Sequence, residues 1–305
     1  MDDFESDRRS LLPPRNIDRR QVLTVSLAAG FAAAVRPIAA ETAITTDTKG
    51  LEAGEVQIPV SDGDLPAYRA MPASGGPFPV VLVVQEIFGV HEHMRDVCRR
   101  LAKGGYMAMA PELYVRQGDV SGMSDVKEII ARVVSKVPDA QVMSDLDAVV
   151  AHAGASGQGD TARLGITGFC WGGRITWLYA AHSPALKAGV AWYGRLVGEA
   201  GALTPSHPVD LAKELKAPVL GLYGRRRSMH TDRHDRAHAR RLQGGKKSCE
   251  IIVYPDAPHA FHSDYRPSYR PDAAKDGWER MLAWFRTYGV TLDTAWAPNF
   301  ARALS

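Results

Sequence analysis

Three side chains in this sequence have types and settings that suit covalent chemistry: Cys170, His259 and Glu86. Cys170 stands in the run Gly168-Phe169-Cys170-Trp171-Gly172-Gly173, after the apolar stretch Leu164-Gly165-Ile166-Thr167 and before a helix-like stretch from Arg174 to Ala181. That order predicts a strand, a tight turn and a helix. Glycines two before and two after the thiol leave room for a turn too sharp for side chains, the layout of a nucleophile elbow. The following helix points free N–H groups and its positive dipole end at the sulfur, favouring the nucleophilic thiolate. The alternative is a buried core cysteine.

His259 lies in Pro258-His259-Ala260-Phe261-His262, after the strand-like run Ile251 to Pro255 and about 90 residues beyond Cys170. A histidine after the last strand, downstream of an elbow, is a general-base candidate. His262 is the weaker rival. Glu86 closes the apolar run Val80 to Val84, at the strand end that faces the ligand crevice of an open α/β sheet. A carboxylate there is unusual beside a thiolate, because two anions in a dry site repel. A salt bridge to Arg95 on the next helix is a further role open to it.

The elements that must position these groups alternate along the chain. Strands are predicted at Glu55 to Val60 and Leu65 to Met71, split by the turn Ser61-Asp62-Gly63-Asp64, and a Gly/Pro-rich loop runs from Pro72 to Pro79. Val80 to Val84 reads as a strand buried on both faces, His93 to Lys103 as a helix ended by Gly104-Gly105, and Met107 to Leu113 as a strand. Helical periods follow at Ser124 to Val137 (Val126, Ile130, Val133, Val137) and Ala140 to Ala153 (Val142, Leu146, Val149), separated by Pro138. After the elbow come strands at Ala188 to Tyr193, Val219 to Tyr223 and Ile251 to Tyr254. A closing helix spans Asp272 to Tyr288, with Trp278, Met281, Leu282 and Phe285 inward. Apolar strands alternating with helices indicate an α/β fold with a doubly wound, mostly parallel sheet.

Length and composition suit one domain, placed at 55–290: 305 residues, 45% hydrophobic, 8% aromatic. A formal net charge of +3 gives no reason to expect nucleic acid. Three cysteines are too few for a disulfide framework. Cys98 shares a helix face with Met94, Val97 and Leu101 and is expected in the core, and Cys249 opens a strand. No Cys/His spacing suits a metal and no glycine loop suits phosphate, so neither metal nor cofactor is expected. The chain is read as a monomer acting on a small molecule.

Residues 1–40 read as an export signal. Arg19-Arg20 precede the apolar stretch Val22 to Val35, and Ile38-Ala39-Ala40 offers a small-residue cleavage site. The arginine pair suggests the twin-arginine export machinery, which carries folded proteins. An apolar stretch of about 14 residues is short against the roughly 20 of a spanning helix. An uncleaved membrane anchor is the alternative. The mature chain is expected in the periplasm, beginning near Glu41, with a lead-in over 41–54 and a tail over 291–305.

With these pieces in place, the chain resembles the dienelactone hydrolase family of α/β-hydrolases over roughly residues 52–290. Four segments carry the resemblance: Gln85-Glu86-Ile87-Phe88-Gly89-Val90, Pro111-Glu112-Leu113-Tyr114, the elbow with Cys170, and Tyr254-Pro255 through His259 to Phe261. It implies hydrolysis of esters, typically strained enol-lactones, by a Cys–His–Asp triad without metal or cofactor. The amide after the nucleophile, here Trp171, is one oxyanion donor, and the resemblance supplies Ile87 as the other. It also implies that Glu86 keeps the thiol in hand and takes its proton when substrate arrives. Arg95 matches the family as a supporting residue.

One segment departs from the pattern. The family's acid lies in a Tyr-Gly-Gly-x-Asp turn, where this chain reads Tyr223-Gly224-Arg225-Arg226-Arg227. Arg227 thus stands at the acid's place, and residues 225–242 hold seven Arg and three His among 18. The abrupt change between intact flanks resembles a compensated reading-frame error. Asp232 and Asp235 are weak candidates for a relocated acid, and an anion- or nucleic-acid-binding patch is a third reading. The family's substrate-binding arginines have no clear counterpart, since Ser263 stands where one is expected. The leading expectation is a cysteine-dependent carboxylic ester or lactone hydrolase. The rivals are a catalytically dead binding protein with the same fold, and a redox thiol, for which Cys170 lacks a resolving cysteine nearby in sequence.

Overall fold

The computed structural model describes residues 43–224 and 249–291. Arg19, Arg20, Arg227, Asp232 and Asp235 lie outside the described residues. Among the described residues eight strands form one sheet in the order β1-β2-β4-β3-β5-β6-β7-β8, with β1 (Leu51–Val60), β2 (Gly63–Pro72), β3 (Phe78–Val84), β4 (Met107–Pro111), β5 (Gly159–Phe169), β6 (Ala188–Trp192), β7 (Val219–Gly224) and β8 (Cys249–Tyr254). β1 and β2 form an antiparallel hairpin that joins β4 antiparallel; all other pairings are parallel. The chain order reverses beside β3, so β3 and β5 are central neighbours whose C-terminal ends open on one crevice.

Every residue of β3 is buried, and the period of two divides its side chains between two layers. Val80, Leu82 and Val84 join the core under α3 (Asp139–Ala155) and α4 (Trp171–His182), whereas Val81 and Val83 join the core under α1 (Glu92–Lys103) and α5 (Pro271–Thr287). Cys98 is fully buried in the second layer with Met94, Val97 and Leu101, and Met281, Leu282 and Phe285 of α5 close the same layer. Trp278 packs at its margin.

Some boundaries differ from the pattern in the sequence. The hairpin pairs from Leu51↔Pro72 to Val60↔Gly63, so it begins inside the stretch read as lead-in. Backbone pairing needs no apolar side chain, and Glu52 on β1 is paired with Arg69 on β2. The helical period after Ser124 yields only α2 (Val126–Arg132) and a 3-10 turn over Val134–Lys136. Ile129 rather than Ile130 is the buried isoleucine. Val133 leaves the helical region at φ −122°, and Pro138 disfavours helix at the residue before it. Ahead of the hairpin, the lead-in is tied to α1: the Thr46 amide donates to Asp96 Oδ1 at 2.5 Å and Arg99 Nε donates to the Thr46 carbonyl at 2.8 Å.

Candidate active site

Cys170 sits between β5 and α4 with φ 55° and ψ −112°. Its amide donates to the Trp192 carbonyl of β6 at 3.0 Å, and the Gly172 amide donates to the Gln85 carbonyl after β3 at 3.1 Å. The glycines are required by space. A Cβ on Gly168 would lie 2.1 Å from the Gly172 oxygen, one on Gly172 2.3 Å from the Val84 oxygen, and one on Gly173 2.6 Å from the Trp192 oxygen. These are backbone atoms that no side-chain rotation can clear. Trp171 opens α4, so its amide is among the first four without an intrahelical acceptor. The Trp171 ring meets Tyr114 edge-on at 4.9 Å.

His259 follows β8. Gly224, the last residue of β7, lies under its loop: a Cβ there would fall 2.3 Å from the Ala257 oxygen and 2.6 Å from the Pro258 oxygen. The His259 ring packs on Tyr193, centroids 5.0 Å apart. Among the described residues, Cys170 (φ 55°), Tyr193 (φ 41°) and Ala260 (φ 60°) are the non-glycine residues in the left-handed region. They follow β5, β6 and β8, and each costs on the order of 1–3 kcal/mol unless its surroundings impose it. Strain is gathered on one rim of the sheet.

His262, the rival base, is a packing residue. It is 3% exposed and lies 4.5 Å from Trp192, 5.2 Å from Phe169 and 5.8 Å from Trp278, ring to ring. Burial, and then the charges of His93 and Arg100, push its pKa well below the ordinary histidine value.

Glu86 is 1% exposed and held from several sides. Ser263 Oγ donates to Oε1 at 3.2 Å, Tyr265 donates its hydroxyl to Oε2 at 3.0 Å, and Arg266 Nη2 reaches Oε2 at 3.4 Å. His91 Nε2 lies 3.6 Å from Oε2. Burial alone would raise this carboxyl's pKa, but the Arg266 charge and the hydrogen bond with His91 outweigh it and hold Glu86 ionised. Burial also lowers His91 to about 4, so its ring is neutral at neutral pH and Arg266 supplies the balancing charge. Arg266 and Tyr193 each interact electrostatically with both Glu86 and Cys170, and Tyr114 with both as well. Thiol and carboxylate therefore share one neighbourhood.

The alternative role for Glu86, a salt bridge to Arg95, is not what the structure shows. Arg95 Nη2 pairs with Glu55 Oε1 at 2.6 Å, its Nε donates to the Val90 carbonyl at 3.3 Å, and its guanidinium stacks over Tyr68. The residue faces the hairpin, because α1 packs against β2 and leaves the Glu86 carboxylate to the loop after β8. Sequence reasoning missed Tyr193, Tyr265, Arg266 and Glu112. Both Glu112 oxygens accept the Val90 amide, at 3.1 and 3.2 Å, and Gln85 Oε1 accepts the Leu113 amide at 3.1 Å. The loop holding Glu86 and the buried Ile87 is thus sewn to the loop after β4. Glu112 had a visible signal, since Pro111 to Tyr114 stood out as a motif; Tyr265 and Arg266 had none beyond their place after His259.

Among the described residues no group of three or more His, Cys, Asp or Glu could hold a metal ion. The arrangement offers a thiol at a helix N-terminus, an imidazole, and a carboxylate neutralised by a guanidinium. Such a set can form and hydrolyse an acyl-enzyme.

Known proteins resemble this chain over most of its length. The profile of the dienelactone hydrolase family matches residues 65–289. A protein of Methylorubrum extorquens, provisionally named a carboxymethylenebutenolidase, is 65% identical over 288 residues, covering 94% of this chain and 99% of that protein. A like-named Escherichia coli protein is 54% identical over 261 residues, covering 85% of this chain and 96% of its own length. A crystal structure from Klebsiella pneumoniae, described provisionally as a dienelactone hydrolase, superposes with TM-score 0.74 at 57% identity over 78% of this chain and 99% of that one.

Proposed function

Since this chain belongs to the dienelactone hydrolase family, with its α/β-hydrolase fold, we propose that it cleaves carboxylic esters or lactones with Cys170 as nucleophile and His259 as base. The observation that carries the proposal is Cys170 itself: a non-glycine residue at φ 55°, hemmed by three obligatory glycines at the head of α4. Left-handed backbone at a helix N-terminus serves no packing purpose for a thiol. An elbow of this shape would present the sulfur to the crevice.

The thiol gives its proton to His259, and the thiolate adds to the acyl carbon. The resulting oxyanion accepts hydrogen bonds from the Trp171 and Ile87 amides, each worth on the order of 3 kcal/mol. Collapse breaks the C–O bond, and the leaving alkoxide takes a proton from the imidazolium. Water, deprotonated by His259, then attacks the thioester and releases the carboxylic acid with regeneration of the thiol. These steps call for no metal or cofactor. In the full chain, Cys170→Ala is expected to abolish turnover of p-nitrophenyl acetate while leaving the thermal unfolding midpoint near that of the parent. His259→Ala should do nearly the same, because the two act as a unit. Native-rate turnover by Cys170→Ala would overturn the assignment.

A second reading has one observation in its favour. Three residues after Gly224, which touches the His259 loop, the chain has Arg227 where the family carries its triad acid. Losing the acid of a serine triad costs about 10⁴ in rate, and a thiolate needs less help. The protein is then a weak hydrolase, and replacing 225–245 by a family-like turn and helix should raise kcat/KM at least tenfold. A fast parent enzyme slowed by Asp232→Ala or Asp235→Ala would show instead that the acid has moved. We also propose that the enzyme is a monomer, exported through the twin-arginine route to the periplasm.

A further inference from the structure

The loop after His259 alternates its contacts. Ser263, Tyr265 and Arg266 all reach the Glu86 carboxylate, while Asp264 between them reaches α1. Asp264 Oδ1 lies 3.3 Å from His93 Nδ1 and Oδ2 accepts from Arg100 Nη2 at 2.5 Å. Arg100 is itself paired with Asp96 one turn earlier on the same helix. All of Asp264, Asp96 and His93 are buried. We propose that Asp264 is a positioning residue for Glu86: clamped to His93 and Arg100, it fixes the loop whose neighbours hold the Glu86 carboxylate in the site.

The geometry gives Asp264 this work for two reasons. The loop's own backbone bonds, Ser263 to Ala260, Arg266 to Ser263, Tyr269 to Arg266 and Arg270 to Phe261, all stay within the segment and tie it to itself. Asp264 contributes the Arg100 ion pair and the His93 contact that fasten it to α1. Its burial beside two partners also has a cost that an apolar residue would avoid, since burying an ion pair gains little over a well-packed hydrophobic alternative. What the charge adds is a fixed direction for the loop. Arg266, stacked over Phe88 at 4.5 Å, then stands against Glu86 rather than in the crevice.

The consequence is read at Cys170. Glu86 is faced by His91 in its own loop, His93 on α1, Ser263, Tyr265 and Arg266 after β8, and Tyr193 after β6; Tyr114 and Glu112 lie beyond β4 and Cys170 at the elbow. Of these, Arg266 sets its guanidinium against the carboxylate, Nη2 3.4 Å from Oε2. A loosened loop leaves Glu86 less neutralised, and an unbalanced anion disfavours thiolate nearby. The inference rests on the reading that Glu86 and Cys170 serve one site.

The test measures the pH dependence of Cys170 alkylation by iodoacetamide in the full chain, read from the mass of the Cys170 peptide. Asp264→Asn is expected to raise the midpoint by roughly 0.5–1 pH unit, which slows alkylation about 3–10-fold below the midpoint. In a Glu86→Gln background Asp264→Asn should add no further shift. His93→Gln, which keeps the Asp264–Arg100 pair, should move the midpoint the same way by less, and it decides the matter if Asp264→Asn does not fold. An unchanged midpoint in a folded variant, or an equal shift with Glu86 already replaced, overturns the positioning role. If Glu86→Gln alone leaves the midpoint where it was, the reading of Glu86 fails and this role with it. Esterase turnover is not used, so failure of the hydrolase proposal is a separate result.

Discussion

Gly172→Ala tests whether the elbow's shape, rather than its thiol alone, makes the site. The added Cβ would lie 2.3 Å from the Val84 oxygen, 2.6 Å from the Gln85 oxygen and 2.7 Å from the Val84 carbon, where real Cβ contacts essentially never fall under 3.0 Å. Relief requires a shift of about 0.7 Å (3.0 less 2.3) between the start of α4 and the end of β3. β3 is buried on both faces and paired on both edges, so α4 must move, and Cys170 and the Trp171 amide move with it. The Gly172 to Gln85 hydrogen bond at 3.1 Å lengthens as it does. Overpacking of this kind costs about 3 kcal/mol, or roughly 6–12 °C in Tm for a domain of this size. A displacement approaching 1 Å at reacting groups costs on the order of 100-fold in rate. Circular dichroism melting and p-nitrophenyl acetate turnover measure the two effects on one preparation. A variant that melts with the parent and keeps its kcat/KM would refute the argument that this glycine is dictated by space.

The buried fork of Arg174 on Asp139, at 2.6 and 2.7 Å, ties α4 to α3. Asp139→Ala should destabilise the fold by about 3–5 kcal/mol in urea unfolding, because it strands a buried cation, whereas Arg174→Met with Asp139→Leu should recover most of that loss. Burial would raise the Asp264 carboxyl's pKa, but the hydrogen bond and charge of His93 and the charge of Arg100 lower it to about 2 from 3.8. A depressed folded value contributes stability that is complete above pH 4 and lost as pH falls toward 2, here about 2 kcal/mol. The urea midpoint should therefore drop across that window, and less steeply in Asp264→Asn. Replacing Arg19 and Arg20 by Lys should trap an uncleaved precursor in the cytoplasm, whereas the parent's mature N-terminus, read by mass spectrometry, should lie near Glu41; full-length parent in the membrane fraction would favour an anchor.

The central elements could be read from the sequence because their signals are local. Val80 to Val84 is apolar throughout since both faces of β3 are covered, and Gly168 of the elbow is dictated by the carbonyl of Gly172 in the next turn of chain. The partner of Glu86 could not be found this way. Arg95, nine residues on, was the nearest cation by helical reasoning, but the contact is made by Arg266, 180 residues away. Neither composition nor periodicity encodes which loop crosses the end of β3. The helix after Ser124 was overread for a different reason: a run of valines satisfies an apolar period, yet β-branched residues and the following proline end the helix early.

The contacts that build the Glu86 cradle also say when it can exist. Thr46 bonds to Asp96 across 50 residues, Arg100 to Asp264 across 164, and Tyr265 to Glu86 across 179. Each closes a long loop, and long-range closures are made only after their entropy has been met by other contacts. β3, α1 and β4 can pair before synthesis reaches the last strand, but Glu86 then has no Ser263, Tyr265 or Arg266 to neutralise it. A chain released unfinished would carry the elbow and an uncompensated carboxylate beside its thiol. Where Glu86 tunes the thiol as proposed, the order of assembly would keep Cys170 quiet until both ends of the domain have met.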